Sequence, residues 1–321
     1  MTRMPRLYST VLLLAGLLGL GHAQAATHRI FVTNEKGDSV SVIDGKTLKV
    51  EQTVAIGRRP RGIGRSPDGR EIYVALGEEN QIAVLDPKTL QVSRKFAAGK
   101  DPEAFAVHPN GHLYLSNEDD AKATVIDPKT GQIVAEIEVG LEPEGVAISP
   151  DGKRVVVTSE SANMLHLIAV PGHTVEANIL VGKRPRAAIF APDGKTLYAS
   201  CEIGGDIKRI DIASRKVVRE VSLTDDKAKP KDLLLGRDGK KLYVAGGRAD
   251  QVFVLDSKTL AIQKRIPVGK RVWGLALSGD GARLFTTDGA SNQVSVIDLA
   301  KEAVIARIPV GELPWGVVVD D

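Results

Sequence analysis

Two sets of positions in this chain bring acids, bases and indoles to the same steps of a repeating pattern. The first falls just after a short apolar strand and reads Glu35, Glu78, Glu118, Glu160 and Glu202, giving way to Gly247 and Gly289. The second is the middle residue of a Pro-x-Gly-like step. It reads Trp315, Arg61, Glu103, Glu144, Arg186, Lys231 and, with Val272 in place of Pro, Trp273. A carboxylate beside a guanidinium group supplies a general base next to a partner for a developing oxyanion. Clustered Glu also offers the oxygen ligands of a weak Ca²⁺ site. The only two tryptophans, in a chain with 4% aromatic residues, both stand at the second step. Trp joins a large apolar surface to one polar N–H, a combination suited to binding.

These residues are spaced by a repeat. Marker aspartates at Asp44, Asp86, Asp127, Asp211, Asp256 and Asp298, with Ala169 in the fourth copy, lie 42, 41, 42, 42, 45 and 42 residues apart. A period of about 40–45 residues built from short strands is that of a propeller blade. In the second copy, Glu71–Ala75 and Gln81–Leu85 are rich in β-branched and aromatic residues and read as strands. Ser66-Pro67-Asp68-Gly69 and Asp86-Pro87-Lys88-Thr89 supply the turns between them. The strands are apolar on both faces, as blades covered by neighbours require. Strands centred on Phe31, Tyr73, Tyr114, Val156, Tyr198, Tyr243 and Phe285 count seven blades.

The first copy begins in mid-repeat, and Pro314-Trp315-Gly316-Val317-Val318-Val319 repeats an innermost strand and then stops. The expectation is an all-β, seven-bladed propeller of four-stranded antiparallel blades over residues 26–321. The C-terminal strand would complete the N-terminal blade and so remove the open sheet edges. Both chemical sets would then share one face of the ring, around its central mouth.

Residues 1–25 read as a secretory signal peptide. Arg3 and Arg6 precede an apolar run from Val11 to Leu20, and Ala23-Gln24-Ala25 is a small-x-small cleavage site. The protein is therefore expected to be periplasmic or secreted, with no membrane span, because the run is too short to cross a bilayer comfortably. Without Arg3 and Arg6 the balance is 41 basic against 40 acidic residues, which removes the electrostatic case for binding nucleic acid. Cys201 is the only cysteine, so no intramolecular disulfide forms and no Cys-x-x-Cys-His can attach haem covalently. Ring closure has to hold the chain together, and a monomer is expected.

The strands Phe31-Val32-Thr33-Asn34 and Tyr73-Val74-Ala75-Leu76, with the Ser-Pro-Asp-Gly and Val-Ile-Asp-Pro-Lys-Thr elements, closely resemble the YVTN family of β-propeller repeats over about residues 28–321. More narrowly, an exported chain of seven such repeats is similar to the β-propeller proteins associated with pyrroloquinoline-quinone (PQQ)-dependent catabolism. That resemblance implies a non-enzymatic periplasmic binding or scaffold protein, accessory to quinoprotein alcohol oxidation. It also implies a quinoprotein dehydrogenase, a c-type cytochrome or a transport component as partner, with PQQ reached only through that partner. No catalytic residue carries over from it.

The alternative is an enzyme of the lactonase or lactonising type, which some seven-bladed propellers resemble, with Glu as base and Arg stabilising an oxyanion at the mouth. No histidine stands at the mouth, and no Ser, His and Asp set can be placed together for nucleophilic catalysis. A PQQ enzyme proper resembles larger eight-bladed rings with a tryptophan motif in every blade.

Bland readings stand beside the sharp ones. The two tryptophans either cap the core between blades or form one wall of a site facing an acidic arc from Glu103 to Glu160. The glutamates are either solvated or functional, and pairing is expected between Arg61 and Glu78 and between Arg186 and Glu202. His108 and His112 have the spacing of a metal pair but flank a turn on the opposite face, where a surface turn is the better reading. Cys201 is expected to be buried as a small apolar residue. The insertion Thr224–Lys231 is either a solvated loop or a contact lip.

Overall fold

The computed structural model describes residues 26–321, so the expected signal peptide lies outside the described residues. The chain forms seven four-stranded antiparallel sheets arranged as a seven-bladed propeller. In blade 1 the order from the axis outward is Pro314–Asp320, Arg29–Asn34, Ser39–Asp44 and Lys49–Ala55. The C-terminal strand therefore completes the N-terminal blade, as the repeat count requires. Asp320 clasps the junction, its carboxylate accepting hydrogen bonds from the Thr27 N–H at 2.8 Å and the Thr27 hydroxyl at 2.5 Å. No helix among the described residues is long and apolar enough to cross a membrane.

Second strands such as Ile72–Leu76 are buried at every position, whereas outer strands such as Lys49–Ala55 are mostly exposed. The core accordingly lies between blades. Phe31, Val40 and Val42 of blade 1 pack with Ile72, Val74 and Leu76 of blade 2, and equivalent clusters recur around the ring. The marker aspartates cap the outer turns. Asp86 Oδ1 accepts N–H bonds from Lys88 at 2.8 Å and Thr89 at 2.9 Å, and Asp256 does the same for Lys258 and Thr259. This is why an Asp recurs there.

One irregularity positions the mouth. Pro60 pairs with Leu76 and Ile63 with Val74, so Arg61-Gly62 oppose a single residue, a β-bulge. The same bulge occurs at Glu103-Ala104, Glu144-Gly145, Trp273-Gly274 and Trp315-Gly316, and a related shift at Arg186. The middle residue of the Pro-x-Gly step is the bulged residue in each case. A hydroxyl opposite the bulge stabilises it in five blades. Thr33 accepts from the Gly316 N–H at 2.9 Å and donates to the Arg61 carbonyl of the next blade at 2.8 Å. Ser116, Thr158, Ser200 and Thr287 make the corresponding donations to Glu144, Arg186, Lys231 and Trp315. The Thr of Val-Thr-Asn thus links blade to blade while satisfying an N–H that the bulge leaves out of the ladder.

The residue after the bulge must be small, because neighbouring inner strands nearly touch. A Cβ on Gly145 would lie 2.4 Å from the Arg186 carbonyl oxygen, which is backbone and cannot swing away. We predict that Gly145→Ala lowers stability by about 1–3 kcal/mol, read from the urea midpoint. Deletion of residues 312–321 removes the closing strand and leaves an open edge in blade 1. That variant is expected to be insoluble, and a soluble product with a cooperative melt would refute this account of closure.

Candidate functional site

The bulged residues converge on the axis. Lys231 of blade 6 bonds Glu144 of blade 4 across an intervening blade, and its Nζ lies 4.9 Å from the Trp273 ring centroid and 5.3 Å from that of Trp315. The two indoles meet edge to face, 6.0 Å apart at 66°. Contact between side chains of non-adjacent blades is possible only near the centre of the ring.

Charge at the mouth is arranged in two networks. In the first, Arg61 holds Glu35 at 2.8 Å and also bonds Glu103. Arg59 reaches Asp101 at 2.6 Å and Glu103 at 2.9 Å, with Glu118 at 3.7 Å. In the second, Arg186 bonds Glu144 at 2.5 Å, Glu202 at 2.7 Å and Glu160, while Arg184 holds Glu160 at 2.6 Å. The acidic arc is therefore neutralised by arginines. Arg186 with Glu202 pairs as expected. Arg61 does not pair with Glu78, because Glu78 is one residue out of step.

Gly77 is the true equivalent of Glu35 and Glu118, since its N–H bonds the Arg59 carbonyl as theirs bond Leu313 and Asp101. A Cβ at Gly77 would lie 2.6 Å from an Asp101 carboxylate oxygen, so a larger residue there would have to displace the Arg59–Asp101 pair. Glu78 itself is exposed and lies 3.7 Å from Arg58. At Gly247 the pattern breaks for a similar reason. A Cβ would lie 1.9 Å from the Lys229 carbonyl oxygen of the inserted loop. That insertion is packed down, with Leu223 and Ala228 buried against Phe253 and Asp226 held by Arg265 at 3.0 Å.

Burial sets the protonation of these groups. Burial would raise Glu144, but Lys231 and Arg186 outweigh it and hold its carboxyl well below the usual range. Burial and then the charge of Glu144 push Glu160 up to about 8, and the same two causes raise Glu103. Burial lowers Lys231, opposed by Glu144. One carboxylate of the Glu144–Glu160 pair thus carries the charge and the other resists it.

Asp101, Glu103 and Glu118 bring one oxygen each within 4.8 Å of one another, which is the nearest approach to a cation site among the described residues. The Arg59 guanidinium bonds Asp101 and Glu103 there and supplies the positive charge that Ca²⁺ would otherwise bring. These residues fit Ca²⁺ poorly.

Beside the networks lies a cavity of about 240 Å³, lined on one side by Glu144, Arg186, Lys231, Trp273 and Trp315 and on the other by apolar inner-strand residues such as Phe105 and Leu275. The tryptophans are only partly buried and form its wall, although the Trp315 indole N–H is itself covered and has no acceptor. Arg271 stacks on the outer side of Trp273, 4.7 Å from the ring centroid.

Sequence reasoning missed Asp232. It stands just before the inner strand of blade 6, where the other copies have Gly or Ala, lines the cavity, and accepts N–H bonds from Leu233 at 2.8 Å and Leu275 at 2.9 Å. Burial pushes it up to about 6 against those two bonds. The signal was present as Pro230-Lys231-Asp232, the one copy in which the third position is not Gly or Ala. Arg59 and Arg184, each just before the proline, were also missed.

The remaining candidates are structural. His108 is buried, its Nε2 bonding the Gly152 carbonyl at 2.8 Å and its Nδ1 accepting from Asn110 N–H at 3.1 Å, so it ties two blades rather than lying open in a surface turn. Cys201 is fully buried, and burial raises its thiol far above neutrality.

Comparison with known proteins adds a family signal at this point. The family described as Lactonase, 7-bladed beta-propeller, matches residues 146–304. That is just under half of the chain, and it includes Arg186, Lys231, Asp232 and Trp273. The fold is shared with hydrazine synthase of Kuenenia stuttgartiensis, at 24% identity over 80% of this chain and 88% of that one, with a TM-score of 0.72. It is shared too with a functionally unknown protein from Desulfotomaculum acetoxidans DSM 771, at 16% identity, 91% and 99% coverage and a TM-score of 0.79. A candidate 6-phosphogluconolactonase from Bacteroides fragilis NCTC 9343 shows 18% identity, 91% and 98% coverage and a TM-score of 0.76. No curated protein matches the chain. The lactonase-family match overturns the expectation of a non-enzymatic accessory to quinoprotein oxidation and favours the lactonase alternative.

Arg186 answers three buried or half-buried carboxylates at once. Arg186→Met is predicted to destabilise the protein by about 3–5 kcal/mol, because it strands their charge. Adding Glu160→Gln should recover part of that loss, and chemical denaturation of the two variants measures it.

Proposed function

We propose that the protein is a lactonase-type hydrolase that opens a lactone in the axial cavity. The observation that carries this reading is that Asp232, a half-buried carboxylate without an ion-pair partner, shares the cavity with Lys231. The mouth glutamates that the sequence offered as bases are held by arginines, whereas each Asp232 oxygen accepts only one backbone N–H and keeps a further lone pair. Near its raised value of about 6, Asp232 is mostly ionised at neutral pH yet basic enough to take a proton from water.

Water attacks the lactone carbonyl carbon as Asp232 removes its proton. Lys231 has three N–H donors and one hydrogen-bonded partner, Glu144, so its ammonium can bind the oxygen on which negative charge develops. The ring C–O bond then breaks, and the proton held by Asp232 passes to the departing alkoxide to give the hydroxy acid. The two indoles confine the ring beside these groups. The family match over this segment supports the same reaction class.

Lactone hydrolysis followed by pH-stat tests this. The rate is expected to rise with pH through about 6, as Asp232 loses its proton. Asp232→Asn should lower kcat by about 10²- to 10⁴-fold. A carboxylate with a raised folded-state value loses stability as pH climbs from its ordinary value of 3.8 toward about 6. The Asn variant should therefore melt no lower than the native protein above pH 6. A fully active Asn variant would refute the assignment of the base.

A further inference from the structure

We infer that the cavity selects uncharged monocyclic lactones, and that Glu144 is the residue that imposes this selection. The inference rests on the lactonase reading above and adds the substrate class. The charged side chains in the cavity wall are Glu144, Arg186, Lys231 and Asp232, two of each sign. Neither cation is free. Lys231 is bound to Glu144, and Arg186 is bound to Glu144, Glu160 and Glu202. Glu144, buried at the centre of the ring, touches both of them.

A phosphate or carboxylate on the ligand would enter a compartment whose two cations are already balanced by carboxylates, Lys231 keeping N–H donors for a carbonyl oxygen but no unshared charge for a permanent anion, beside the negative charge of Asp232. It would lose its hydration without gaining a free counter-ion, which is unfavourable in a buried site. The rest of the wall suits an apolar ring. It includes the two indoles with Ile63, Phe105, Val146 and Leu275.

Size narrows the class further. A dry cavity of about 150 Å³ holds benzene, so about 240 Å³ holds one ring with a short substituent. Of the cations around the mouth, Arg184 is engaged with Glu160 and Arg59 with Asp101 and Glu103, whereas Arg271 stacks on Trp273 without lining the cavity itself.

Glu144→Gln makes the role of this side chain testable, because the amide keeps its shape while removing the negative charge that Lys231 and Arg186 both face. Both tryptophans of the chain line the cavity, so indole emission reports occupancy directly, independent of turnover. Native protein would be titrated with δ-valerolactone, a short-chain alkyl γ-lactone, glucono-δ-lactone carrying a 6-phosphate, and a carboxylated γ-lactone, with hydrolysis followed in parallel. The uncharged compounds are expected to shift the emission and the anionic ones to leave it unchanged. In Glu144→Gln the anionic lactones should gain at least about tenfold in affinity, the uncharged ones changing far less. A second variant, Glu144→Leu, should show the same gain if Gln folds poorly. Binding of uncharged lactones without hydrolysis would sustain this inference and overturn the proposed reaction. Hydrolysis confined to the phosphorylated or carboxylated lactone would do the reverse. Failure of every lactone to perturb either tryptophan would overturn both.

Discussion

Seven inner strands converge on one axis, and each of the bulged ones sends a side chain to a place where the others are already crowded. Backbone approaches there are so close that a single Cβ, at Gly145 or Gly316, would strike a neighbouring carbonyl. Large or charged side chains in such a space cannot each find solvent. They must satisfy one another, and the rest of the mouth follows from that constraint.

The outcome is electrostatic closure rather than an open acidic surface. Glu103, Glu144 and Glu160 are all buried, which isolated carboxylates do not tolerate. Four arginines and one lysine make that burial possible, and they share partners, so that no pair stands alone. Ion pairs of this sort add little net stability over an apolar core but are costly to break on one side. Their use here is positional. They hold the charged side chains against one another, while inner-strand residues of all seven blades line the cavity beside them, the two indoles and Asp232 among these. Lys231 joins the two halves, bonding Glu144 while resting against both tryptophans.

Much of this fold is legible in one dimension because its determinants are local. The outer turn needs an Asp to accept two N–H bonds, the bulge needs a small residue, and the blade link needs Thr or Ser opposite it. Each of these recurs at a fixed offset within about 42 residues. The closing strand was legible for the same reason, as a repeat fragment at the wrong end of the chain. Glu78 shows the limit. Counting residues after Tyr73-Val74-Ala75-Leu76 does not reveal that Gly77 occupies the mouth position, because that depends on the space left by Arg59 and Asp101 of the next turn.

By itself the sequence determined the seven-bladed ring, its closure, and the types of side chain sent toward the axis. It also marked Asp232 as a departure from the repeat, although that departure carries chemical meaning only beside a cavity. The tertiary structure alone decided which charges meet, which carboxylates are consumed, and where an unpaired one remains. The physical reason is range. Strand period, turns and bulges are set by neighbours a few residues apart, whereas Glu144 and Lys231 are 87 residues apart and touch only because the ring closes.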